Sequence, residues 1–282
     1  MQNKKQSAHR QGDLLDRTFT EEEFPERFTG VWRLYGKQAF RHFAQSRICV
    51  IGLGGVGSWA AEALARSGIG HITLVDPDVV VATNLNRQIQ ALENNIGKNK
   101  ALALAMRVKA INPDCRVTVK AERLTPYNIA EFVGKDSFDY VVEAIDDITA
   151  KAALIAYCRK NAIPQVTSGG AGGQTDPTRI VVSDLGRTVQ DPLLARLRSR
   201  LRQKYGFPRG TGAFGIAAVY STEQVKYPGE PAASALAEAA DNDGDGAVRA
   251  SAYGTTVVVT ASFGMTVAAV VLQHLADAAS GT

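Results

Sequence analysis

The feature that most constrains this chain is Gly52-Leu53-Gly54-Gly55-Val56-Gly57, set between a short apolar run and a helical pattern. The run before it, Arg47 to Ile51, has the length and branching of a buried strand, and residues 56–67 read as a helix with Gly68 and Gly70 near its end. Glycines at such a junction allow a tight turn and close approach of backbone to phosphate. The helix N-terminus that follows offers free N–H groups to an anion. The next strand, residues 71–76, ends on Asp76, near the roughly 20-residue spacing of a ribose-binding carboxylate. A nucleotide site is therefore expected on Gly52, Gly54, Gly55, Gly57 and Asp76. The turn alone does not separate NAD from ATP, and a turn that only packs a helix on a strand would use the same glycines.

Alternation continues beyond Asp76. Residues 98–111 read as a helix stopped by Asn112-Pro113, and 116–120 and 140–144 as strands. This spacing predicts an α/β, Rossmann-like, mainly parallel sheet with crossover helices, followed by an irregular C-terminal extension. The 282 residues divide into a flexible tail at 1–26 and one domain at 27–282, interrupted by a flexible Pro-, Ala-, Gly- and Asp-rich insertion at about 228–254. Residues 255–272 carry no charge and reach the lower end of a membrane span. Their Thr, Ala, Ser and Gly content suits an α/β core or a dimer interface, so membrane association is not expected.

The net charge of +4 permits nucleic-acid binding without arguing for it. Cys49, Cys115 and Cys158 form no CxxC pair, which argues against a structural zinc site. Few cysteines and a polar start without an apolar leader fit a reducing, cytoplasmic setting. Asp241 to Gly246 matches the start of a calcium loop, but its twelfth position is Ala252 rather than glutamate, so calcium is not expected.

The residues beyond Asp76 favour ATP. Asn84, Arg87, Lys98, Lys100 and, later, Asp146-Asp147 follow it. Attack on an α-phosphate needs cations on the developing negative charge and a carboxylate for magnesium. Arg87 and Lys100 can supply the first and Asp146 the second. Taken singly, each is also what a solvated surface or a helix cap would carry.

Together these residues resemble the ubiquitin-activating-enzyme-like adenylyltransferase superfamily over about residues 28–175. That resemblance implies ATP and Mg2+ as cofactors, Asp76 on the ribose, Asn84, Arg87 and Lys100 on the triphosphate, and Asp146 on magnesium. It also implies a homodimer in which Arg33 reaches into the partner's site, so that Arg33, Arg87, Lys100 and Asp146 carry the catalysis. Carrier-protein activators of the superfamily typically have two CxxC pairs or a catalytic cysteine, and this chain has neither.

Residues 164–177, Gln190-Asp191-Pro192-Leu193, and Ser221-Thr222-Glu223 with Tyr227-Pro228 resemble one branch, the dehydratases of threonylcarbamoyladenosine in tRNA. The resemblance implies ATP-dependent cyclising dehydration through an acyl-adenylate, with modified tRNA as substrate and a sulfur-transfer protein as a further partner. Some members carry a cysteine just before the Ser-Thr-Glu segment, where this chain has Ala217, Ala218, Val219 and Tyr220. Direct ring closure needs no enzyme nucleophile, which suits that absence. Seven cations against one acid, Asp191, over residues 187–209 are expected to contact tRNA phosphates at 196–209. The competing readings are activation of the C-terminus of a ubiquitin-like sulfur carrier, a non-catalytic nucleotide sensor, and an NAD dehydrogenase.

Overall fold

The computed structural model describes residues 24–134, 137–226 and 253–281. The expected tail lies outside the described residues except for its last three positions. So does the expected insertion except for its last two, and with it the calcium-like loop and Tyr227.

Seven strands form one sheet: β1 (Arg47–Ile51), β2 (His71–Val75), β3 (Arg116–Lys120), β4 (Tyr140–Glu143), β5 (Gln165–Ser168), β6 (Ile180–Asp184) and β7 (Ala217–Ser221). Their order is β3-β2-β1-β4-β5-β7-β6. All neighbours are parallel except β6 and β7. In β1, Ile48 and Val50 are buried on one face and Cys49 and Ile51 on the other, which is why this strand reads as an unbroken apolar run.

Helices cover both faces. On one lie α1 (Thr29–Tyr35), α2 (Lys37–Gln45), α3 (Gly57–Arg66) and α4 (Lys100–Ile111), with Phe40, Phe43, Leu64 and Leu104 in a common core. On the other lie α5 (Ile129–Phe132), α6 (Ile148–Lys160) and α7 (Pro192–Tyr205), sealed by Phe132, Leu154, Ile155, Leu194, Leu197 and Leu201.

The C-terminal part is more regular than the extension expected. It contributes α8 (Val257–Ser280), a single 24-residue helix. Its buried residues, from Val259 and Thr260 through Phe263, Gly264, Val267, Ala268, Val271 and Leu272 to Leu275, recur every three or four positions and make one stripe. α8 crosses α3 at Gly264, where a Cβ would lie 2.6 Å from both Trp59 Cβ and the Val56 carbonyl oxygen. The helix is long and apolar enough to cross a membrane by length and composition. The buried stripe lies in the core, while Val257, Val258 and Met265 are exposed.

Candidate nucleotide site

The strand order reverses between β1 and β4, the position at which an open α/β sheet leaves a crevice beyond its carboxyl ends. Ile51 pairs with Glu143 across this point, so the turn after β1 and the turn after β4 emerge side by side. Gly52 has φ +86°, and a Cβ on it would sit 2.6 Å from the Ala144 carbonyl oxygen. A Cβ on Gly57 would fall 1.9 Å from the Gly52 carbonyl oxygen. Neither position admits a side chain. Gly54 faces open space, so the turn presents bare backbone outward at the start of α3.

Asp76 is buried and knits the turn together. Its Oδ2 accepts from Leu53 N at 2.7 Å and its Oδ1 from Asp78 N at 2.9 Å. Burial raises its pKa, opposed by Lys100 and by those two N–H groups. Each oxygen keeps a further lone pair able to accept a hydrogen bond. Asn84 is buried in a short 3-10 turn, its Oδ1 accepting from Val81 N at 3.2 Å.

Arg87 lies across the glycine turn. Its Cγ is 3.3 Å from where a Gly55 Cβ would be, and its backbone oxygen accepts from Trp59 Nε1 at 2.9 Å. Its Nη1 donates to Thr83 O at 2.6 Å and Asn86 Oδ1 at 3.1 Å. Burial lowers the guanidinium pKa. Lys100, at the first turn of α4, has a side chain only 10% exposed, with Nζ 3.1 Å from Asp78 Oδ2. Asn99 sets that position: its Oδ1 caps α4 at Ala101 N and Leu102 N, while its Nδ2 donates to the carbonyls of Asp76 and Asp78.

Asp146 and Asp147 are exposed just past β4. Asp147 caps α6 through Thr149 N and Ala150 N. Asp146 makes no hydrogen bond or ion pair among the described residues, so its carboxylate is not the cap. Arg33 is exposed on α1, its guanidinium 5.5 Å from the Trp32 ring centroid. It donates no hydrogen bond to residues 52–57 among those described. Arg33 is thus the one site residue of the sequence that no hydrogen bond or ion pair ties to the β1/β4 crevice among the described residues, beside Asp146, which only its place after β4 puts there.

Sequence reasoning missed the supports. Gln90 Nε2 donates to Leu53 O at 2.8 Å, bracing the turn from beneath. Glu143 and Lys151 form a wholly buried ion pair, Oε2 to Nζ 2.6 Å. Thr167 Oγ1 also donates to Glu143 Oε2 at 2.6 Å. The pair grips the turn before Asp146 from both sides, since Ile145 N donates to Glu143 Oε1 at 2.8 Å and Lys151 Nζ to Ile145 O at 3.1 Å. No periodic pattern announces such a contact between the end of a strand and the second turn of a helix.

The arginines of α7 divide over more than one face, as alternate positions must on a helix. Arg200 donates to Thr149 Oγ1 beside Asp146, and Arg198 to Thr188 Oγ1. Arg202 donates to the carbonyls of Pro208 at 3.0 Å and Gly210 at 2.7 Å. All three cysteines are buried. Burial pushes the Cys115 and Cys158 thiols up to about 12 and Cys49 higher still, so none is a thiolate near neutrality.

The ThiF family model matches residues 27–280. The tRNA threonylcarbamoyladenosine dehydratase of Escherichia coli (strain K12) is 51% identical over 240 residues, covering 85% of this chain and 89% of its own length. The enzyme of the same description from Haemophilus influenzae is 43% identical, covering 90% and 95%. Among solved structures, the E. coli tRNA N6-threonylcarbamoyladenosine dehydratase in complex with ATP is similar with a TM-score of 0.80 and 47% identity, covering 91% of this chain and 96% of that one. Its complex with AMP gives the same score and identity.

Proposed function

The chain belongs to the ThiF family, and we propose that, like the dehydratases it is similar to, it uses ATP to dehydrate threonylcarbamoyladenosine in tRNA to a cyclic form. The observation that carries this reading is the juxtaposition at the β1/β4 crevice of an open glycine turn with Arg87 over Gly55 and of the turn after β4, where Asp146 follows and makes no hydrogen bond or ion pair among the described residues. Those parts suit a nucleotide triphosphate whose α-phosphate is to be attacked.

The chemistry balances in two steps. One threonyl carboxylate oxygen bonds to the α-phosphorus of ATP and pyrophosphate leaves. A nucleophile of the same modification then attacks the activated carbonyl and gives its proton to solvent, the acyl carbon–oxygen bond breaks, and AMP leaves with the oxygen that the product lacks. Arg87 and Lys100 would hold the phosphates and offset charge developing on them. Asp76 would orient the ribose, and Asn84 would donate from its amide to the phosphates. Asp146 would hold Mg2+, because that ion takes one or two carboxylates and completes its shell with phosphates and water. When bound, it would neutralise the departing pyrophosphate. The second step is intramolecular and needs no enzyme nucleophile, which agrees with three thiols that are buried and protonated. Activation of a sulfur-carrier C-terminus is less well supported, since the relatives at 51% and 43% identity are tRNA threonylcarbamoyladenosine dehydratases. A cytoplasmic setting with tRNA suits the same free thiols.

Incubation with ATP and tRNA carrying the modification, followed by mass spectrometry of the nucleosides, tests the reading. The expected result is loss of one water from the threonylcarbamoyl nucleoside, dependent on ATP. Pyrophosphate exchange without tRNA but with a small carrier protein would refute it.

The reading includes a homodimer with sites completed in trans. Arg33 is exposed and makes no hydrogen bond to residues 52–57 among those described, and Leu34 beside it is 78% exposed. Leu102 and Met106 on α4 are 54% and 70% exposed, leaving apolar surface that a second copy would cover. Mixing an Arg33→Ala chain with a Lys100→Ala chain should restore one sound site per mixed dimer. The expected recovery is about a quarter of wild-type turnover after random mixing of equal amounts. Mixed dimers that stay as inactive as either parent would show that each site is built within one chain.

A further inference from the structure

We propose that α7 carries a phosphate-binding cavity that holds the backbone of the tRNA, distinct from the nucleotide crevice; the proposal rests on the tRNA reading above. The cavity is about 300 Å³ and is lined by Ala195, Arg198, Ser199, Arg202, Gln203 and Arg209. Arg198 and Arg202 are four residues apart, so their side chains share one face of the helix. Arg209 joins them from the loop that follows. Three arginines therefore line one space whose lining contains no carboxylate.

The cations are anchored by neutral acceptors, and burial and Arg202 outweigh the attraction of Asp191, so the Arg198 pKa is lowered. Arg202 is fixed by the carbonyls of Pro208 and Gly210 and lies 5.3 Å from the Phe214 ring centroid. Arg198 is fixed by the Thr188 hydroxyl. These acceptors are all neutral. Asp191, the one acid of residues 187–209, directs its hydrogen bonds to Leu194 N and Gly170 N and acts on Arg198 through its charge alone. Like charges held at helical i,i+4 spacing repel, and an anion in the cavity relieves that repulsion while meeting guanidiniums already in place. Oxyanions match the planar donor fork of arginine.

The surroundings select a polymer over a small ion. Ser199, Gln203 and Arg209 are exposed at the rim, and the exposed Arg187 directly precedes Thr188, the residue that anchors Arg198. A single phosphate needs one pocket, whereas a chain of phosphodiesters complements an extended basic surface. On its other side α7 is tied to the first turn of α6 by Arg200 and Thr149, one turn from Asp146.

The test uses the full chain and two variants that spare the bonds anchoring Arg198 and Arg202. Arg209→Gln removes one cation from the loop. Ser199→Asp places a carboxylate in the cavity and leaves all three arginines. tRNA affinity is measured at several salt concentrations, beside ATP affinity, inorganic phosphate as competitor, and thermal midpoint. Arg209→Gln should weaken tRNA binding and flatten its log–log salt slope by about 0.7–0.9, the counterions released by one phosphate contact. Ser199→Asp should weaken tRNA binding as well, with ATP affinity and thermal midpoint unmoved in both. Wild-type tRNA affinity and slope in both variants would overturn the cavity while leaving the dehydratase reading intact. Lost ATP affinity, or lost phosphate competition with tRNA binding unchanged, would make it a nucleotide or free-anion pocket and overturn it too. A wild-type chain that bound no tRNA would overturn both proposals together.

Discussion

Replacing Arg87 or Lys100 with alanine is expected to lower turnover by about 100-fold or more, the usual scale for losing one donor that stabilises charge in a transition state. The geometry makes both losses specific to chemistry. Arg87 is braced at Thr83 O and Asn86 Oδ1 with its stem over Gly55, so its guanidinium is directed without further ordering. Lys100 is nearly buried, and its partner Asp78 is about half exposed and stays within 3.7 Å of Arg123 when Lys100 is gone. That carboxylate remains solvated, so the fold should survive. Arg87→Lys should be nearly as damaging as Arg87→Ala, because a point charge cannot reproduce a fork that binds two carbonyl-type oxygens and a phosphate together. Steady-state turnover with saturating tRNA and ATP, beside thermal midpoints, checks this. A variant within about fivefold of wild type, with an unchanged midpoint, would take that residue out of the mechanism.

How much of this site could be read in the chain depends on the range of each interaction. The glycine turn was legible because its constraint is local. Gly52 needs its left-handed φ, and Gly57 cannot carry a Cβ against the carbonyl of Gly52, five residues earlier. Asp76 was legible because the length of α3 sets its spacing from the turn. Lys100 was legible by motif, but its reason lies in Asn99, whose side chain holds both the cap of α4 and the loop after β2. The α7 arginines were legible as charge and illegible as contacts. Their partners Thr149 and Thr188 stand 51 and 10 residues away, and nothing periodic marks them.

The helix at the C-terminus was illegible for a different reason. Thr, Ala, Ser and Gly over 255–272 weaken the helical signal, yet a small residue is what a close helix crossing requires. Gly264 admits Trp59 and the Val56 carbonyl at distances no side chain would tolerate. The methyl of Thr260 then reaches the glycine turn, 3.0 Å from where a Gly55 Cβ would stand. The last helix of the chain therefore backs the first turn of the nucleotide site. The same composition that hid the helix lets it sit there.

Lys151→Ala is expected to destabilise the fold by about 3–5 kcal/mol, the scale for stranding one partner of a buried ion pair. Glu143 and Lys151 are both fully buried, so water cannot replace the ammonium when it is removed. Glu143 would keep only Thr167 Oγ1 and Ile145 N as donors, too few to offset a desolvated charge. Taking out both charges together, as Glu143→Gln with Lys151→Met, should cost much less than Lys151→Ala, because no isolated charge remains. The pair also shapes function, since Ile145 is held at its N–H by Glu143 and at its carbonyl by Lys151. Asp146 follows directly, so freeing that turn should weaken metal-dependent ATP binding in the double variant even where stability is largely recovered. Urea unfolding gives the first quantity and ATP titration with and without Mg2+ the second. If Lys151→Ala unfolded within about 1 kcal/mol of wild type, the pair would not be holding this turn. If the double variant kept wild-type Mg2+ dependence, Asp146 would be positioned by some other means.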